Sequence, residues 1–193
     1  MEDSKKFIIS FNGTEGSGKS TIAKMIAEDL GLPRYYMGQI FRDMAKEKGM
    51  ALPEFRKLCD SDPSFDKKVD DYIVKLAKEQ DRFVIESRTA WHFIPESIKI
   101  FLKVNPKVAA KRIFKELQEK NNRGNEDESL DSVKDIEKSI VRRRTEDSER
   151  YFALYGIRQD NEKNYDFILD TTGFNVEEVF ERVKSYIKER SDS

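Results

Sequence analysis

Short apolar runs and apolar positions at helical spacing alternate along this chain. Phe7-Ile8-Ile9-Ser10-Phe11 reads as a buried strand. Ile22, Met25, Ile26 and Leu30 then recur on one face of a helix from about Gly18 to Leu30, which Gly31 and Pro33 stop. Tyr35-Tyr36-Met37 is a short second strand, followed by a helix from about Gln39 to Lys48 that carries Ile40, Phe41 and Met44 and closes at Gly49. Asp62-Pro63 opens a helix on which Phe65, Val69, Tyr72, Ile73 and Leu76 share a face. Phe83-Val84-Ile85 and Ile98-Lys99-Ile100-Phe101-Leu102 are strands of the buried type, and a helix runs from about Lys107 to Glu119. After a polar gap from Lys120 to Leu130 comes a long helix, about Asp131 to Leu154. Phe167-Ile168-Leu169 is the last strand, and the final helix turns Val176, Val179, Phe180, Val183 and Ile187 inward. Strands that alternate with helices predict a parallel sheet covered on both faces: an α/β, doubly wound, five-stranded single domain over residues 1–193.

Composition narrows the chemistry. Charged residues make up 38% of the 193, yet the net charge is only −1, so no global basic field draws the chain to nucleic acid or to an anionic membrane. No apolar stretch approaches transmembrane length. Cys59 is the single cysteine, which excludes an internal disulfide and suggests a reduced, cytoplasmic setting. His92 is the single histidine, which argues against histidine metal sites and a Ser-His-Asp triad.

The run Gly13-Thr14-Glu15-Gly16-Ser17-Gly18-Lys19-Ser20-Thr21 fits G-x-x-x-x-G-K-[ST] between a strand and a helix. In that setting glycines bend the backbone around an anion, and successive N–H groups at the helix N-terminus point at phosphate oxygens. Lys19 is placed to reach the β- and γ-phosphates of ATP, and the Ser20 hydroxyl to ligate Mg²⁺. An Asn-Lys-x-Asp guanine clamp is absent from the sequence, and the chain is small for a helicase or a transport ATPase. A small kinase remains, and such an enzyme holds two anionic substrates together with arginines.

Arginines fall at informative places. Arg42 lies on the helix after the second strand, and Arg88 lies where the third strand ends, at the carboxyl edge where open α/β sheets bind ligands. Arg112 lies on the helix that leads into the polar gap. Arg143, Asp147 and Arg150 are spaced i, i+4, i+7 on one helical face, which reads either as a phosphate grip around a carboxylate or as a solvated charged face. Glu86 ends an apolar strand and is a candidate to order a magnesium-bound water or to anchor a backbone turn. Trp91 reads equally as a base-stacking ring or as core, and His92 as structural.

The order of these segments resembles the cytidylate kinase family, in particular its short members without a large insert. The resemblance covers nearly the whole chain. It is carried by Gly13–Thr21, Tyr36-Met37-Gly38-Gln39-Ile40-Phe41-Arg42, Val84-Ile85-Glu86-Ser87-Arg88, Ala110-Lys111-Arg112-Ile113, Arg143 to Arg150 with Tyr151 and Tyr155-Gly156, and Leu169-Asp170-Thr171-Thr172. The resemblance implies that Gly38, Arg42 and Arg88 contact the acceptor nucleotide. It implies that Arg143 and Arg150 clamp phosphates while Asp147 takes ribose hydroxyls, and that Arg112 serves the ATP side and the phosphoryl group in flight. Where short members show Glu-Gly-Arg and a further glycine three residues later, this chain has Glu86-Ser87-Arg88 and then Thr89-Ala90-Trp91-His92.

The expectation is therefore a P-loop kinase that moves the γ-phosphoryl group of Mg·ATP to a nucleoside monophosphate, CMP or dCMP before others. An acceptor-binding helical segment is expected at about 38–81 and a short lid at about 119–131. The partner is a small nucleotide acceptor, with no nucleic acid and no membrane, and the protein is expected to work as a monomer in the cytoplasm. The alternatives are a P-loop kinase for another small acceptor and a non-catalytic ATP-dependent binding or switch protein.

Overall fold

The computed structural model describes residues 6–119, 130 and 132–191. Its strands are β1 (Phe7–Gly13), β2 (Arg34–Tyr36), β3 (Arg82–Glu86), β4 (Ile98–Lys103) and β5 (Phe167–Asp170). They form one parallel sheet in the order β2-β3-β1-β4-β5. The chain leaves the central β1 toward β2 on one side and later returns to the other, so the strand order reverses at β1. Ligands of open α/β sheets bind beyond the carboxyl ends of strands at such a reversal.

Adjacent side chains of β1 face opposite layers, as strand geometry requires. Ile9 and Phe11 pack with Ile22 and Ile26 of α1 (Lys19–Leu30) and with Val179, Val183 and Ile187 of α8 (Val176–Ser191). Ile8 packs on the other layer with Val69, Ile73 and Leu76 of α4 (Ser64–Glu79), beside Met37 at the start of α2 (Met37–Glu47). A further layer forms where α6 (Pro106–Gln118) meets α7 (Val133–Tyr155) through Ile113, Ile136 and Ile140. Two inward expectations fail: Tyr72 is 38% and Val176 51% exposed. Tyr72 lies at the margin because the buried face of α4 is rotated toward Asp66 and Asp70, which are 3% and 5% exposed.

Two helices were not legible in the sequence. α3 (Leu52–Ser61) begins with Pro53 in its first turn, and the Glu54 carboxylate accepts from the Ala51 N–H in place of an N-cap side chain. Leu52, Phe55 and Cys59 bury its inner face. α5 (Ala90–Phe93) is a single turn after β3. The expected lid lies outside the described residues except for its ends at Glu119 and Leu130.

Phe55 fixes the helical segment. It is fully buried and meets Phe41 at 4.9 Å and Phe65 at 5.1 Å, both edge-on, so one ring joins α2, α3 and α4. Phe55→Ala should cost about 3–5 kcal/mol in urea unfolding, whereas Val141→Ala, on the exposed side of α7, should stay within about 0.5 kcal/mol. Equal effects would contradict this packing.

Candidate functional site

The glycine loop is pressed against its surroundings from behind. Gly13 has φ +154°, and a Cβ there would meet the Leu102 carbonyl oxygen at 2.1 Å. Gly16 has φ +70°, with Ala109 of α6 2.9 Å from a Cβ. Any other residue at either position would push the loop off its support. The Thr14 N–H donates to the Leu102 carbonyl (2.9 Å), and its Oγ1 accepts from the Val104 N–H (3.0 Å). No side chain caps the N-terminus of α1, so the N–H groups of its first turn remain for a ligand or water. Lys19 and Ser20 line the cleft in front of the loop; Ser17 is buried and Thr21 exposed. This donor set fits an anionic polyphosphate with a magnesium ion at the Ser20 hydroxyl.

That cleft, with a cavity volume of about 160 Å³, lies beyond the carboxyl ends of β1 and β3. It brings together Lys19, Ser20, Gly38, Arg42, Glu86, Arg88, Arg143, Asp147 and Arg150 from the sequence expectation, but not Arg112. Arg112 lies behind the loop. Its guanidinium donates to the carbonyls of Gly16 (3.2 Å), Thr171 (2.8 Å) and Phe174 (3.4 Å), and the Thr171 hydroxyl donates to the Ser17 carbonyl (3.1 Å). Arg112 thus fastens the loop to the segment after β5, and this geometry does not aim it at a phosphoryl group in the cleft.

The centre of the cleft is a chain of buried charges. The Arg88 Nη2 lies 2.9 Å from Glu15 Oε1 and 3.0 Å from Asp147 Oδ2. Asp147 also accepts from Arg150 (2.9 Å), and Arg144 approaches Glu15 (3.4 Å). Burial alone would raise the Glu15 pKa, but Arg88, Arg143 and Lys19 overcome it and hold the carboxylate ionised far below the usual range. Asp147 follows the same logic: burial opposes ionisation, and Arg88, Arg56 and Arg150 outweigh it. Only 1% exposed, Asp147 here orients two arginines rather than presenting a free carboxylate to ribose. Glu86 is half engaged: its Oε1 takes both Arg34 Nε (2.6 Å) and the adjacent Arg34 nitrogen, while its Oε2 is buried without a hydrogen-bond partner in the cleft wall.

Arg42 donates to the Tyr36 hydroxyl (2.8 Å) and the Gly38 carbonyl (3.1 Å). Gly38 is required there, because a Cβ would lie 2.6 Å from the Tyr36 ring. Trp91 does not line the cleft. Its indole N–H donates to the Arg88 carbonyl (2.9 Å), and its ring leans on Tyr165, so it supports the Arg88 turn; His92 packs between Trp91 and Phe93.

The cleft also contains residues that the sequence reading missed. The apolar Met37, Phe41 and Val69 line the cleft together with Asp66 and Asp70. Asp70 accepts from the Thr89 hydroxyl (2.6 Å) and the Tyr155 hydroxyl (2.5 Å). Asp66 has one contact among the described residues, 3.1 Å from Arg150 Nε and poorly aligned for a hydrogen bond. Burial pushes the Asp66 carboxyl up to about 6, against the pull of Arg150 and with Asp70, Asp147 and Asp60 reinforcing it. Arg56 of α3 lines the same cleft. The i, i+4 spacing of Asp66 and Asp70 beside an apolar face was the available signal for the carboxylates; Arg56 had none, because its helix was not legible.

The architecture matches shikimate kinase from Bacteroides thetaiotaomicron with a TM-score of 0.62 at 15% identity, over 94% of this chain and 98% of that one. Shikimate kinase from Aquifex aeolicus gives 0.56 at 17% identity, over 96% and 98%. These likenesses show the fold. Sequence relatives reach further. The cytidylate kinase of Pyrococcus horikoshii is 38% identical over 183 residues, covering 94% of this chain and 88% of that protein. The cytidylate kinase of Methanocaldococcus jannaschii is 38% identical over 186 residues, covering 93% and 97%. The model of the cytidylate kinase-like family matches residues 8–173, from β1 through the glycine loop and the arginines of α7 to the turn after β5, and the chain belongs to that family.

Proposed function

We propose that this protein transfers the γ-phosphoryl group of ATP to CMP or dCMP. One observation carries the reading: a single cleft brings together an uncapped phosphate-binding loop, buried arginines, and apolar residues with carboxylates among them. The loop N–H groups and Lys19 hold the β- and γ-phosphates, with Gly13 to Thr21 shaping the cradle. Ser20 is the magnesium ligand, and magnesium supplies charge neutralisation at the phosphates when bound. Arg143 and Arg150 face the phosphoryl group in transit, and Arg42 and Arg88 face the acceptor phosphate. An acceptor phosphate oxygen attacks Pγ, the bond from Pγ to the β–γ bridging oxygen breaks, and ADP departs with that electron pair. The attacking oxygen is already anionic, so no strong general base is needed, and the work of the site is positioning and charge neutralisation. Every residue invoked comes from one chain, so the reading needs no second copy. No helix among the described residues is long and apolar enough to cross a membrane; a cytoplasmic location fits the reading.

Base choice is proposed to rest on Asp66. Cytosine presents an N4 amino donor, which an ionised carboxylate accepts; uracil presents an oxygen there, which the same carboxylate repels. A site built to bond a donor rejects an analogue that lacks it by large factors, because its own polar group is left unpaired.

A coupled ADP-release assay over CMP, dCMP, UMP, AMP and GMP tests the assignment. CMP or dCMP should give the highest kcat/KM, and Lys19→Ala should lower turnover by about 10³-fold or more in a folded protein. Acceptor-independent hydrolysis would support a switch, and preference for another monophosphate would remove the cytidylate assignment while leaving the kinase.

The Asp66 carboxyl gives this choice a pH signature. The groups facing it are Asp70 on its own helix, Asp60 and Cys59 from α3, and Asp147, Arg150 and Tyr151 from α7. Its pKa is raised to about 6, so it is ionised above that pH and protonated below. The ratio of kcat/KM for CMP to that for UMP should therefore fall as pH drops through about 6. The ratio cancels titration of the acceptor phosphate, which both nucleotides share. Asp66→Asn should give a low ratio that is flat in pH; a ratio that still varies in that variant would assign the effect to another group.

A further inference from the structure

The arginines at the centre of the cleft are charged groups with carboxylates of their own. Arg88 lies between Glu15 and Asp147, and Arg150 between Asp147, Asp66 and Asp60. Arg56 differs. Its side chain leaves α3 on the buried side, one turn before Cys59 and next to the fully buried Phe55, and enters the wall of the cleft. Its Nε is buried without a hydrogen-bond partner, and no carboxylate among the described residues reaches it as an ion pair. What surrounds it is partly of its own sign. Burial and the nearby Arg143 pull its pKa down to about 10, Asp147 and Glu15 oppose them, and Arg88 adds to the repulsion. A guanidinium whose Nε is buried without an acceptor, with like charges beside it, is an unfavourable arrangement in the protein alone. It becomes favourable when an anion with several acceptor oxygens arrives.

Position says which anion. α3 packs on α2 and α4, the helices that carry Gly38, Arg42, Asp66 and Asp70. Arg56 therefore enters the cleft from the helices that carry the expected acceptor residues, with Arg143 of α7 beside it. The loop has its own lysine and helix N-terminus for the donor. Arg88, which the family resemblance assigns to the acceptor phosphate, has its Nη2 shared between two carboxylates. We propose that Arg56 is a ligand of the acceptor's phosphate, a guanidinium that the protein leaves without a carboxylate of its own and that the incoming monophosphate completes. The assignment rests on the kinase reading of the cleft. It gives α3 a function beyond packing: it brings a cation to the acceptor. It also implies that this cation is better accommodated with the acceptor bound than without it.

The experiment uses the full chain with three probes: CMP, cytidine and ATP. Wild type, Arg56→Gln and Arg56→Lys are compared by steady-state kinetics, by calorimetric binding of CMP and of cytidine, and by thermal melting with and without CMP. A charge-assisted bond to phosphate supports an effect of about tenfold or more on acceptor affinity. Arg56→Gln should therefore raise KM for CMP at least about tenfold, while KM for ATP changes less than about twofold and cytidine binding is unchanged. Arg56→Lys should recover part of the loss. The melting temperature without ligand should hold or rise in Arg56→Gln, because a buried unpaired charge is removed, while the upward shift produced by CMP shrinks.

A lowered melting temperature without ligand, together with an unchanged CMP-induced shift, would make Arg56 structural and overturn the proposal. An increase in KM for ATP equal to that for CMP would move Arg56 to the donor and overturn it as well. Wild type that binds CMP no better than cytidine would overturn the kinase reading and this proposal together. Wild type that prefers CMP, with Arg56→Gln unaffected, would overturn the proposal alone.

Discussion

The buried charge chain Glu15–Arg88–Asp147–Arg150 is the constraint on which the rest of the site depends. Its members come from three places far apart in sequence: the glycine loop, the end of β3 and the middle of α7. Taking such charges out of water costs several kcal/mol each, and only close mutual pairing offsets that cost. The chain therefore tolerates few geometries. Glu15 and Asp147 approach one nitrogen of Arg88 at 2.9 and 3.0 Å, so moving either the loop or α7 would strand a charge in the interior. The donor cradle and the arginine helix are fixed relative to each other by these ion pairs together with α6, which packs on α7 through Ile113, Ile136 and Ile140 and against Gly16 through Ala109. Phosphoryl transfer asks for that rigidity, because positioned charge contributes most when it need not reorganise during reaction.

Three side chains expected as direct participants make supporting contacts in this geometry. Asp147 orients Arg88 and Arg150, Arg112 pins the glycine loop to the segment after β5, and Glu86 holds Arg34 at the end of the sheet. Asp147 and Glu86 are buried carboxylates paired with arginines, and Arg112 is a part-buried arginine bonded to backbone carbonyls. Besides the second oxygen of Glu86, three groups retain capacity toward a ligand: the first turn of α1, Asp66 with its single poorly aligned ion pair, and Arg56. These match, in turn, a polyphosphate, an amino group and a monophosphate.

Much of this was written in the sequence, because much of it is local. The glycine loop is a contiguous motif whose flanking strand and helix have strong apolar periodicity, and the family resemblance drew Arg42, Arg88 and Arg150 toward one site. What escaped depends on contacts between distant segments. α3 has a sparse apolar face and an Ala N-cap, and it is seated by Phe55 against Phe41 and Phe65, rings from two other helices. Asp66 and Asp70 point inward because tertiary packing rotates the buried face of α4 away from Tyr72. Asp147 carried the right spacing for a site residue, but the spacing could not say that Arg88, 59 positions earlier, would claim its carboxylate.

The claim that Arg88 joins loop and helix into one unit is open to a double-mutant cycle on kcat/KM and on unfolding free energy, with Glu15→Gln, Asp147→Asn and the pair. Each single change leaves Arg88 one carboxylate, and the double change leaves it neither of the two. The account predicts that the double variant loses more than the sum of the singles, by about 1 kcal/mol or more in both measurements. Additivity within about 0.5 kcal/mol would show that the loop and α7 act independently, and would contradict it.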